Sequence, residues 1–107
     1  MITAGNKIGD IRIVVPGMAR LDASVADRFK SDVKELIDAG DRYLVVDFSG
    51  VQFMDSSGLG ALVGCLKYMG KGGKIEIACP CDAVMKVLRL TRMNKVFSIR
   101  DALPQAA

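Results

Sequence analysis

The sequence predicts a single α/β domain, with about three to four helices packed on a small mixed sheet of four to five strands. Three observations carry this. Apolar residues recur at helical spacing between Ala23 and Ala39, a compact apolar run at Tyr43 to Phe48 follows directly on a helix stop, and the two kinds of signal then alternate. A length of 107 residues suits one hydrophobic core, so residues 1–107 are read as one domain.

Thr3 to Ile8 and Ile11 to Val15 read as two strands around the turn pair Gly9-Asp10, with Ile11, Ile13 and Val15 on one face. Pro16-Gly17 breaks the second. From Ala23, the residues Val25, Phe29, Val33, Leu36 and Ile37 form one helical stripe, with Asp22 placed to cap it and Gly40 to end it. Tyr43 to Phe48 suits a central strand covered on both faces, and Gly50 to Asp55 connects it to the next element.

A second helix is expected from Ser56 or Ser57 to about Met69, with Leu59, Leu62, Val63, Leu66 and Met69 as its buried stripe and Gly70-Lys71-Gly72-Gly73 as its stop. Lys74 to Cys79 is a further strand in which Ile75 and Ile77 alternate against Glu76, and Pro80 ends it. Asp82 is placed to cap a third helix carrying Val84, Val87, Leu88 and Thr91. Val96 to Ile99 is a candidate last strand, and a frayed tail is expected from about residue 102.

Composition removes several functional classes. Without histidine, Ser-His-Asp and Cys-His catalysis and imidazole zinc sites have no basis in this chain. Three cysteines, Cys65, Cys79 and Cys81, suggest reduced thiols, and Cys79-Pro80-Cys81 is too small a ligand set for a metal site. A net charge of +3 without a basic run, and no Trp, gives no footprint for nucleic acid. No apolar run approaches the ~20 residues of a membrane span and the first residues lack the order of a signal peptide, so the expectation is a cytoplasmic protein with no membrane partner.

The informative stretch is Phe53-Met54-Asp55-Ser56-Ser57-Gly58-Leu59-Gly60. Two hydroxyls follow a carboxylate where a helix starts, and unpaired N–H groups there favour an anion such as a phosphate on Ser56. An ordinary helix cap made by Ser or Asp is the competing reading of the same residues. With Leu59, Leu62, Val63 and Leu66 inward, Ser57, Gly60, Ala61, Gly64 and Tyr68 fall on the opposite side and, with Gly58, offer a small-residue surface to a partner. Alternatively, Gly60 and Gly64 let the helix pack tightly within its own domain.

Asp55-Ser56-Ser57-Gly58-Leu59-Gly60, with the strand Leu44 to Phe48 and upstream Arg20-Leu21-Asp22, resembles the STAS domain family and, within it, the stand-alone bacterial anti-sigma factor antagonists. The likeness spans nearly the whole chain and departs at Ala19, where the family usually has Gly, and at Pro16-Gly17-Met18. It implies that Ser56 is phosphorylated by a partner anti-sigma factor that is also a serine-protein kinase. It further implies that a serine phosphatase reverses this, and that Asp22, Asp55 and Ser57 lie near the phosphosite. The unphosphorylated form would capture the kinase and free its target. On this reading the chain is no enzyme and needs no cofactor, the ATP belonging to the kinase. Two alternatives stay open: a partner switch acting on a non-sigma target such as secretion, and a small STAS subunit of a lipid-transport ATPase.

Overall fold

A computed structural model describes residues 2–105. Strands β1 (Thr3–Ile8), β2 (Ile11–Val15), β4 (Tyr43–Asp47), β6 (Lys74–Ala78) and β7 (Ser98–Arg100) form a five-stranded sheet in the order β1-β2-β4-β6-β7. β1 and β2 are the expected antiparallel hairpin, and every other pairing is parallel. Helices α1 (Ala26–Asp38), α2 (Ser56–Met69) and α3 (Asp82–Leu90) supply the crossovers. A second, two-stranded parallel sheet joins β3 (Arg20–Leu21) to β5 (Phe53–Met54).

β4 is central, as its apolar run predicts, because consecutive side chains face opposite sides of the sheet and both sides are covered. Leu44 and Val46 join Val14, Ile75 and Ile77 in one core with the inward faces of all three helices, including Phe29, Val33, Leu62, Val84 and Leu88. Val45 turns the other way and packs with Ile13 and Ala78. Leu103 rests on that second cluster, and the Cys79 thiol donates to the Asp101 carbonyl at 3.3 Å. The chain is therefore held past residue 102, where fraying was expected.

Three element boundaries differ from the expectation for identifiable reasons. Asp22 does not cap α1: its Oδ1 accepts from the Ser24 backbone N–H at 3.0 Å and the Ser24 hydroxyl at 2.6 Å. That local turn competes with the helix, which begins three residues after Ala23 behind Val25. Asp82 is the first residue of α3, with Cys81 in the cap position. Val96 is exposed beyond a short 3₁₀ turn at Met93–Lys95, so β7 starts at Ser98. Met54, the second residue of β5, is buried, and Met93 is half-buried.

Gly70 ends α2 at a φ of 75°, and Arg42 closes that end by donating to the carbonyls of Met69 at 2.8 Å and Lys71 at 2.7 Å. This positions α2 from its C-terminus. Glu76, the polar partner in the β6 alternation, is 6% exposed. It accepts from the Tyr43 hydroxyl at 2.8 Å and pairs with Lys74 at 3.2 Å and Arg100 at 3.3 Å. Burial opposes its ionisation, but the Tyr43 hydrogen bond and the two cations outweigh it and hold the carboxyl below its ordinary value of 4.5.

A depressed folded-state pKa means the stabilisation is present above the unfolded value and is lost as pH falls through the folded one. Glu76→Gln is therefore expected to cost about 1–2 kcal/mol at pH 7. Urea unfolding of both proteins at pH 7 and at pH 3 checks this: the gap between them should narrow at pH 3, and an unchanged gap would contradict the assignment.

Candidate phosphoacceptor site

The β3–β5 pair brings two distant loops together. Arg20 pairs with Phe53 and Leu21 with Met54, while the Ala19 carbonyl accepts from Gln52 N–H at 2.7 Å and Phe53 N–H at 3.2 Å. The loop entering α1, with Asp22, is thus tied to the loop entering α2, with Asp55 and Ser56. Ala19 contributes through its backbone, so this pairing does not need a particular side chain there. Arg20 lies over the Phe53 ring at 4.1 Å and pairs with Asp22 at 3.5 Å. The Asp22 carboxyl is held below its ordinary value, first by the Ser24 hydroxyl, against the opposing effect of burial, and further by the Ser24 backbone N–H and Arg20.

Asp55 is the cap of α2. Its extended backbone places Oδ1 to accept from the Gly58 N–H at 3.0 Å, and its carbonyl accepts from Leu59 N–H. The segment therefore carries an ordinary cap, made by Asp55. Capping is done by the carboxylate, so Ser56 and Ser57 become the first helical residues, both exposed. Among the described residues neither hydroxyl has a hydrogen-bond partner.

The two serines line different hollows. Ser57 opens onto one of about 380 Å³ beside Ala23, Ala26, Asp27 and Lys30 of the α1 side. Ser56 stands at the end of a groove of about 560 Å³ that runs along α2 past Leu59, Gly60, Val63 and Gly64 to Lys67, with Thr91 and Met93 on its far wall. Leu59 and Val63 are lining residues here as well as core residues, a dual position that the apolar periodicity conceals.

The expected partner strip is only partly a surface. Gly60 is exposed, and a Cβ built on it would meet nothing within 4 Å. Gly64 is half-covered by the end of Lys30, whose Cε and Nζ lie 2.8 Å from a built Cβ. Tyr68 is exposed, but its hydroxyl donates to Asp38 of α1 at 2.5 Å and Lys34 lies over its ring at 4.7 Å.

Ala61 and Gly58 are corrections, since both are buried. Ala61 faces inward, and Gly58 packs on the Leu21 backbone so closely that a Cβ would lie 2.1 Å from the Leu21 carbonyl oxygen. Small residues here serve close internal packing, and the buried face of α2 is accordingly rotated to include Gly58, Ala61 and Cys65. Burial pushes the Cys65 thiol up to about 11, which leaves it inert. Among the described residues no cluster of three or more His, Cys, Asp or Glu is arranged to hold a metal ion, and no helix is long and apolar enough to cross a membrane.

An anti-sigma F factor antagonist of Paenibacillus polymyxa is 33% identical over 89 residues, which cover 81% of this chain and 74% of that one. The crystal structure of a Thermotoga maritima protein, described as a candidate anti-sigma factor antagonist, superposes with a TM-score of 0.82 at 29% identity over 94% of this chain and 87% of that one. The unphosphorylated form of the antagonist SpoIIAA shares the fold, with a TM-score of 0.72 at 18% identity over 96% and 90% of the two chains. The STAS domain model matches residues 6–106, and the chain belongs to the STAS domain family.

Proposed function

We propose that this chain is an anti-sigma factor antagonist that works by partner switching, in the cytosol, with Ser56 as its phosphoacceptor. The unphosphorylated form binds an anti-sigma factor that is also a serine-protein kinase, through the groove beginning at Ser56 and the open surface of Gly60. The observation that carries this is the division of labour at the start of α2. Asp55 does the capping, which leaves the Ser56 hydroxyl exposed, unpartnered and at the mouth of the groove.

In the kinase complex the Ser56 oxygen forms a bond to the γ-phosphorus of ATP as the bond to the departing ADP oxygen breaks, and the hydroxyl proton passes to a base on the kinase. A serine phosphatase returns the hydroxyl by hydrolysis. The product carries about −1.5 to −2 charge beside Asp55 and near Asp22. The helix N-terminus accommodates that charge within the domain, so the fold stays and the partner surface changes. A relative of the same fold, SpoIIAA, has been solved in a phosphorylated form, at a TM-score of 0.69 and 17% identity, which is consistent with a fold that tolerates the modification.

Site mapping by mass spectrometry after incubation with the cognate kinase and ATP tests the assignment. Phosphate is expected on Ser56, none is expected in Ser56→Ala, and Ser57→Ala should still be modified. Modification of Ser57 with Ser56 left bare would overturn the proposal.

A further inference from the structure

Lys30 is placed unusually for a lysine. It is half-buried on α1, its terminal carbon and ammonium lie across the bare backbone of Gly64 on α2, and among the described residues no carboxylate pairs with it. It lines both hollows, the one shared with Ser57 and the groove shared with Ser56. The neighbouring cations are otherwise engaged or distant. Lys34 lies over the Tyr68 ring, Arg20 pairs with Asp22, and Lys67 lies eleven positions along α2 from Ser56.

Gly60 also borders both hollows, one turn after Ser56 and one turn before Gly64, with nothing within 4 Å of a built Cβ. The Lys30 stem needs to swing back by only one helical turn, about 5.4 Å, to bring its ammonium over Gly60. Ser56 lines the groove that Gly60 borders, so a phosphate on it has the same open space within reach. Resting on the reading of Ser56 as phosphoacceptor, we propose that Lys30 is the internal counter-cation of phosphoserine 56 and that the two groups meet over Gly60.

The charged groups lining the two hollows are Asp27 and Lys30 on α1 and Lys67 on α2, while Thr91 and Met93 on the far wall carry no charge; Asp55, next to Ser56, and Asp22, brought beside that loop by the β3–β5 pair, add two carboxylates nearby. These carboxylates repel the phosphate, and Lys30, the cation that lines both hollows, is placed to offset them. Pairing draws Lys30 off Gly64, so phosphorylation alters the groove at two places a helical turn apart. Without phosphate, the same ammonium is available to a carboxylate of the partner.

The test places phosphoserine at position 56 during translation, so that no kinase is needed, and follows its second ionisation by phosphorus NMR. Lys30→Gln is expected to raise the titration midpoint by about half a pH unit, roughly threefold in proton affinity. Lys30→Arg should restore the wild-type midpoint, and Lys67→Gln should move it by less than half as much. An unmoved midpoint in Lys30→Gln, or an equal movement in Lys67→Gln, would overturn the inference. If Lys30 controls the titration while the kinase leaves Ser56 unmodified, the counter-cation stands and the proposed switch fails.

Discussion

Replacing Gly58 with Ala is expected to lower the thermal midpoint by roughly 10 °C, a large effect for one methyl group. The new Cβ would sit 2.1 Å from the Leu21 carbonyl oxygen and 2.9 Å from its carbonyl carbon. Both obstacles are backbone, and Leu21 is pinned by its pairing with Met54, so neither yields cheaply. Overpacking of this kind costs about 3 kcal/mol, while Ala gains about 1 kcal/mol over Gly in helix propensity, leaving about 2 kcal/mol lost. Thermal unfolding followed by circular dichroism measures it. A midpoint at or above wild type would mean that α2 does not lean on β3 as described.

Two residues further on, Gly60→Arg is expected to do the opposite. This position is exposed, helical and open, so the domain should keep or slightly raise its melting temperature. The side chain would project into the space where the groove opens at Ser56, and affinity for the kinase partner should fall at least a hundredfold, about 2.7 kcal/mol. Gly64 is a less clean choice, because a side chain there first displaces Lys30. Titration calorimetry against the partner, beside a melting curve, checks both halves. Full-strength binding by a folded Gly60→Arg protein would remove this surface from the interface.

Much of this architecture is legible in the amino-acid order because it rests on local periodicity. The stripes of α1 and α3, the triple burial at Leu44-Val45-Val46 and the start of α2 at Ser56 all follow from spacing and stop signals. The β3–β5 pair was not legible, since two-residue strands have no period and their pairing joins residues 33 positions apart. It is nevertheless what brings Asp22 toward Asp55. The rotation of α2 escaped for a related reason. Periodicity marks only the large apolar residues as the buried face, whereas Gly58, Ala61 and Cys65 are buried because neighbouring elements come close to them. Asp22 has the residue type of a helix cap, but Ser24, two residues on, claims its carboxylate in a local turn that competes with capping.

The central claim is that a phosphate on Ser56 changes binding and leaves the fold unchanged. Its most direct measurement is a calorimetric titration of the purified kinase with unmodified chain and with chain phosphorylated at Ser56, each shown by backbone NMR to be folded. The account predicts saturable binding of the unmodified chain and at least a hundredfold loss on phosphorylation, with spectral changes confined to Ser56, its loop and the groove along α2. Equal affinity of the two forms, or loss of binding accompanied by collapse of the spectrum, would contradict it.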